Sequence, residues 1–133
     1  MSESMRVLLD THSFLWWVSG EKALPRRAAN IISDELNVIF VSHASVWEMS
    51  IKAGIGQLTL PEAAGSFVQK QCKLNRFQML PISLDAIARV ELLPPHHSDP
   101  FDRVLVAQCL EAGIPIISSD AVLTKYRVSR IWG

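Results

Sequence analysis

Residues 94–120, PPHHSDPFDRVLVAQCLEAGIPIISSD, decide how this chain is read. Pro94 and Pro95 end whatever precedes them, Asp99 stands where a helix N-cap belongs, and Pro100 falls at the first helical position, where a missing N–H costs nothing. Phe101, Val104, Leu105, Cys109 and Ala112 then recur at three- and four-residue steps, which predicts a helix with one apolar face, closed by Gly113. Residues 114–118 follow as a short apolar strand. Asp102 thereby lies in the first turn of the helix, where the dipole favours an anion, and Asp120 lies just past the carboxyl end of the strand. A helix running straight into an apolar strand is the repeating unit of a parallel α/β sheet.

Working outward, the same unit recurs. Residues 6–10 carry Val7, Leu8 and Leu9 as a continuous apolar run, the mark of a strand covered on both faces, and end in Asp10. A helix is predicted from Thr11 until Ser19 and Gly20 break it, and a second over residues 25–36 with Leu24, Ala28, Ile31, Ile32 and Leu36 on its apolar face. Residues 38–41 form another short apolar strand, and Ser42 is placed to cap the helix SHASVWEMSIKA that stops at Gly54. Ala44, Trp47 and Ile51 are expected on its core face, with Glu48 at the border, closing a capping box with Ser45, pairing with Lys52 one turn on, or turned toward a site. A helix over 61–74 with Ala64, Phe67, Val68 and Cys72 inward, a weak or edge strand over 77–82 containing Pro81, and a Ser83-capped helix to Leu93 complete the middle of the chain. A turn of helix near 121–125 and a strand over 127–132 complete its end. Strands alternating with helices predict a three-layer α/β/α domain, a single one over residues 1–133, with ligands beyond the carboxyl ends of the strands.

Composition bounds the function. A hydrophobic fraction of 49% suffices to cover a sheet on both faces. Thirteen Lys and Arg balance thirteen Asp and Glu, so no global field draws the protein to a polyanion, and any such substrate must be held locally. Cys72 and Cys109 stand alone, which argues against a zinc site or disulfide framework and fits a reducing cytoplasm. No apolar run approaches the length of a membrane span, and the opening MSESMRVLLD has no leader-like apolar segment, so a cytoplasmic protein without membrane contact is expected.

Asp10 and Asp120 each end a strand, and Glu48 and Asp102 lie in early turns of the helices that follow strands. Four carboxylates in one crevice repel, since two unit charges about 4 Å apart cost roughly 4 kcal/mol at a surface-like dielectric. Hard divalent cations favour all-oxygen sites of this kind, which points to Mg²⁺ or Mn²⁺ and to hydrolysis of a phosphodiester by an activated water. Such an ion also explains how a neutral protein holds a polyanion.

DTHSFLWW at 10–17, SVWEMSIK at 45–52, HHSDPFDRVLVAQCLEAG at 96–113 and ISSD at 117–120 together resemble the PIN-domain ribonucleases, specifically the VapC toxins of toxin–antitoxin pairs, in order and spacing over nearly the whole chain. The resemblance implies a five-stranded parallel sheet and a Mg²⁺- or Mn²⁺-dependent endoribonuclease acting on RNA, commonly tRNA. It also implies a homodimer neutralised by a VapB-like antitoxin. Carried over by position, Asp10, Glu48 and Asp102 look like the core acidic ligands and Asp120 like a more variable fourth. Asp99 reads as a cap. Thr11 and Ser118 are candidates to hydrogen-bond a carboxylate or else to serve as turn chemistry, and Arg103 is a candidate to contact phosphate, to tie down an acid, or to remain a solvated surface arginine. His12, His43, His96 and His97 are not required by an oxygen-rich site, and Trp16, Trp17 and Trp47 read as core or dimer contacts.

Two other readings compete. A phosphoryl-transfer domain would also place Asp10 at the end of the first strand, but His12 stands where a phosphatase needs its second Asp, and the third strand ends in PIS where a receiver domain needs an acceptor. A non-catalytic acidic α/β binding module, with its acids serving only as caps, is the other.

Overall fold

In a computed structural model the described residues are 4–133; residues 1–3, the beginning of the segment read above for a leader, lie outside them. Five parallel strands, β1 (Arg6–Leu9), β2 (Val38–Ser42), β3 (Gln78–Leu80), β4 (Ile116–Ile117) and β5 (Arg130–Ile131), form one sheet in the order β3-β2-β1-β4-β5. Six helices connect them: α1 (Thr11–Ser19), α2 (Arg26–Ser33), α3 (His43–Gly54), α4 (Ala64–Asn75), α5 (Leu84–Leu92) and α6 (Pro100–Ala112). A 3-10 turn, Ala121–Lys125, precedes β5. The three-layer α/β/α fold with a five-stranded parallel sheet is as expected. The order also separates the chain from receiver domains, whose doubly wound sheet runs 2-1-3-4-5.

The central strand is β1, paired on both sides, and all three of its apolar residues are wholly buried. Leu9 aligns with Val41 of β2 and with Ile117 of β4, so the three strands end at one level. Two apolar clusters cover the sheet. Val7, Leu9, Phe14, Ile39, Val41, Met49 and Val68 belong to one, and Leu8, Phe40, Leu105, Val106, Cys109 and Ile116 to the other, as alternation along β1 requires.

The caps follow the sequence. Ser42, Ser83 and Asp99 each accept a backbone N–H of the helix they precede, and Gly113 closes α6 in the left-handed region at φ 66°. Several elements are shorter than predicted. The second helix ends at Ser33, where Asp34 turns the chain and leaves Leu36 65% exposed. The helix expected from residue 61 starts at Ala64. The last two strands shrink to two residues each, because pairing with β1 reaches only Ile116 and Ile117, and β5 in turn pairs only with those.

The core face predicted for the third helix is corrected. Ala44 is buried, but Trp47 and Ile51 are 54% and 43% exposed, and the inward residues are Ala44, Ser45, Glu48 and Met49. Polar partners for Glu48 inside the fold turn the helix by about one residue position, roughly 100°, and Trp47 instead meets Phe101 edge-on at 5.1 Å.

Phe14 anchors α1, and with it Asp10, onto the sheet. Its ring is wholly buried and meets Phe67 and Phe77 edge-on at 6.4 and 6.5 Å. Phe14→Ala is expected to lower the free energy of unfolding by about 3–5 kcal/mol, measured by urea denaturation; a loss under about 1 kcal/mol would mean that the α1 anchor lies elsewhere.

Candidate active site

Each acid reaches the carboxyl edge of the sheet by a different local device. Asp10 follows β1 directly and serves as N-cap of α1, its Oδ1 accepting the Ser13 N–H at 2.8 Å. Its own N–H donates to the Ile117 carbonyl of β4, which fixes its backbone against the neighbouring strand. Asp120 leaves β4 through Ser118, whose hydroxyl accepts the Asp120 N–H, and Asp120 caps the 3-10 turn by accepting the Val122 N–H. Asp102 occupies the first turn of α6 behind the Asp99 cap.

Glu48 is the buried member, 5% exposed on α3. Thr11 Oγ1 donates to its Oε1 at 2.7 Å and lies 2.9 Å from Ser45 Oγ, which ties α3 to the residue beside Asp10. Lys52 Nζ lies 2.6 Å from Glu48 Oε2, one helical turn on. The ion pair and the functional environment, alternatives in the sequence, are here one arrangement: a buried carboxylate needs a partner, and the partner comes from its own helix. The hydrogen bond to Glu48 raises the Lys52 pKa against desolvation, helped by the charges of Glu48, Asp99 and Asp102.

Among the described residues Asp102 has no such partner. Burial, then the charge of Asp99, pushes its carboxyl up to about 6; His97 opposes this, while Glu48 and Asp120 add to it. A carboxylate held above its ordinary range by neighbouring acids favours an added positive charge, whether a proton or a metal ion. Asp120 is the opposite case. Burial works against its charge, but a hydrogen bond from His97, the Val122 N–H and the charges of His97 and Arg130 outweigh it and hold the carboxyl below its usual range.

Among the described residues, one group of three has ligand atoms all within 4.8 Å of one another: His97, Asp102 and Asp120. Of the sequence-predicted acids the structure therefore brings Asp102 and Asp120 together directly. Glu48 and Asp10 stand outside that group, with Glu48 acting on Asp102 through its charge and Asp10 joined to Glu48 through the adjacent Thr11. The carboxylate oxygens, with a surplus of negative charge at Asp102, fit a small divalent cation.

The other expectations sort cleanly. Asp99 is a cap, accepting the Phe101 N–H. Thr11 hydrogen-bonds a carboxylate, and Ser118 is turn chemistry. Among the described residues Arg103 pairs with no acid; its guanidinium donates to the carbonyls of Val90, Leu93 and Pro94 and seals the end of α5 against α6. Trp17 is half-buried, with its indole N–H on Asn75, and Trp16 packs on Trp132. His97, set aside in the sequence, is the residue that reading missed. Its Nε2 lies 2.6 Å from Asp120 Oδ2 and its Nδ1 3.0 Å from the Tyr126 hydroxyl. A histidine three residues before a Pro-initiated helix was the available signal, but only the fold shows that Asp120 and Tyr126 come to meet it.

The PIN-domain family model matches residues 7–128. The chain belongs to the PIN-domain family. Within it, the chain is 30% identical over 126 residues to Ribonuclease VapC22 of Mycobacterium tuberculosis (strain ATCC 25618 / H37Rv), covering 93% of this chain and 94% of that protein. The PIN fold is also seen in VapBC2 from Rickettsia felis, solved with a DNA fragment from its promoter, with a TM-score of 0.72 at 11% identity over 97% of this chain and 100% of that one. DNA-bound VapBC from Salmonella typhimurium gives 0.68 at 12% over 96% and 97%. At those identities the structural likeness concerns the fold.

The Asp102 carboxyl yields a prediction on the metal-free PIN domain. Its folded pKa of about 6 lies above the ordinary 3.8, so the folded state binds the extra proton between those values. The destabilisation is full above pH 6, shrinks as pH falls toward 3.8 and is absent below. Asp102→Asn is therefore expected to stabilise the EDTA-stripped protein near neutral pH by roughly 1–2 kcal/mol after solvent screening, with the gain fading through that window. Calorimetric melting of both proteins across the window checks this, and a pH-independent difference would contradict it.

Proposed function

We propose that this protein is a metal-dependent endoribonuclease of the VapC toxin type, hydrolysing RNA phosphodiester bonds at the carboxyl edge of the sheet. The observation that carries the reading is the meeting of Asp102 and Asp120 with His97 within 4.8 Å, beside a buried Glu48 whose charge adds to the surplus at Asp102. Acids that serve only as helix caps need not converge, and Asp102 and Glu48 cap nothing. The relative named a ribonuclease supports RNA as the substrate class.

In this reading Asp10, Glu48, Asp102 and Asp120 hold Mg²⁺ or Mn²⁺. Bound there, the cation neutralises charge on the phosphodiester and acidifies water, the chemistry that hydrolysis needs near neutral pH. The chain's own residues do the rest. Lys52 and Thr11 keep the Glu48 carboxylate oriented inside the fold, and the α1 backbone N–H of Ser13 does the same for Asp10. Arg130 donates to the Ser118 carbonyl and lies close enough to Asp120 to lower its pKa, placing one cation beside the acids where an RNA phosphate would come to rest.

The partners follow from the same reading. Solved likenesses include VapBC pairs and a toxin–antitoxin complex from Klebsiella pneumoniae, the last with a TM-score of 0.62 at 16% identity. We take a VapB-like antitoxin and a second copy of this chain as the partners here. The exposed apolar residues Trp47 and Ile51 on α3, Ile55 just past its end, and Leu84, Ile87 and Leu92 on α5 are surface of the kind such assembly covers. No helix among the described residues is long and apolar enough to cross a membrane.

The test is direct. Purified protein is expected to cleave RNA with Mg²⁺ or Mn²⁺ and to stop when EDTA is added, and Asp10→Asn or Asp102→Asn is expected to abolish cleavage with the melting transition retained. Cleavage that persists in EDTA and in both variants would overturn the reading.

A further inference from the structure

Beyond the four acids, one further group is built into the site: the pair His97 and Tyr126. His97 is nearly enclosed, with 9% of its side chain accessible, and Tyr126 is 6% exposed. The two rings stack, with centroids 5.5 Å apart and planes 17° from parallel, while His96 meets the same phenol edge-on at 4.9 Å. Both imidazole nitrogens are engaged, Nε2 by Asp120 Oδ2 at 2.6 Å and Nδ1 by Tyr126 Oη at 3.0 Å. An ionised carboxylate only accepts, so Nε2 carries the proton, and in the neutral ring Nδ1 accepts from the phenol O–H. Asp120 is thus held at both oxygens, Oδ2 by His97 and Oδ1 by the Val122 N–H at 3.0 Å. Without the imidazole, a side chain 37% exposed at the head of a 3-10 turn has solvent to rotate into.

We propose that His97, oriented by Tyr126, is a positioning residue that fixes the Asp120 carboxylate for the divalent cation, and that it does not itself ligate the ion. The proposal rests on the metal-site reading above. Its second half follows from the geometry: for the ring to bind a cation, one of its two hydrogen bonds would have to break. A ligand whose free oxygens are fixed by an outer hydrogen bond loses about 10- to 100-fold in metal affinity when that bond is removed.

The experiment titrates Mn²⁺ calorimetrically into the EDTA-stripped full chain without RNA, and records pulsed EPR of the Mn²⁺-loaded protein labelled with ¹⁵N-histidine. His97→Ala is expected to weaken Mn²⁺ binding about 10- to 100-fold. His97→Gln, whose amide retains a donor toward Asp120, is expected to recover most of the loss, and Tyr126→Phe to weaken binding by a smaller factor. The EPR spectrum is expected to show no directly coordinated histidine nitrogen. Unchanged affinity in His97→Ala, or a coordinated ¹⁵N, overturns the proposal while leaving the metal site standing. If the alanine variant does not fold, Tyr126→Phe decides, and unchanged affinity there overturns it. Wild-type protein that binds no Mn²⁺ overturns both this and the metal reading.

Discussion

Strand β1 lies between β2 and β4 in parallel register, and that pairing governs the rest of the molecule. Because Leu9 aligns with Val41 on one side and Ile117 on the other, the chain leaves all three strands at one height. Asp10 emerges from the first, Ser42 starts the helix that carries Glu48 from the second, and Ser118 leads to Asp120 from the third. A parallel sheet has all its carboxyl ends on one edge, so residues far apart in sequence meet there without any long loop. Asp102 joins from α6, the helix that runs into β4 and therefore starts at the same edge.

Gathering acids in this way carries an electrostatic cost, and the structure offsets most of it group by group. Lys52 and Thr11 offset Glu48, the first turn of α1 offsets Asp10, and His97 with the Val122 N–H offsets Asp120. Asp102 is the exception, raised to about 6 by burial and by the neighbouring acids. The imbalance has a direction. Three carboxylates are oriented by hydrogen bonds from the protein, while the charge of the fourth is disfavoured by burial and by its neighbours. On the proposed reading, a cation bound there would also draw a polyanion to a chain that carries no net charge.

The fold was legible because its signals are local. Apolar runs too short for helices, Ser and Asp caps, Pro100 at the head of α6 and Gly113 at its end each constrain the backbone within a few residues, and each appears where the sequence places it. The placement of Asp10 and Asp120 after strands and of Asp102 in the first turn of a helix was legible from the sequence in the same way. What the sequence hid depends on distant partners. Trp47 was assigned to the core of α3 by its apolarity, but Thr11, 37 residues from Glu48, draws the carboxylate inward and turns the indole out. Arg103 carries no mark of its three carbonyl partners at and just past the end of α5, and His97 none of Asp120, 23 residues on. The overlong helices at 25–36 and 61–74 failed for a related reason: apolar periodicity continued past the point where Asp34 and the segment before Ala64 take other backbone conformations.

The account stands on the acids at this edge gathering about a single kind of guest, a divalent cation. The most direct measurement is anomalous diffraction from crystals of the protein soaked in Mn²⁺. The account predicts a manganese peak bounded by the carboxylates of Asp10, Glu48, Asp102 and Asp120. Diffraction showing no manganese peak among those carboxylates would contradict it.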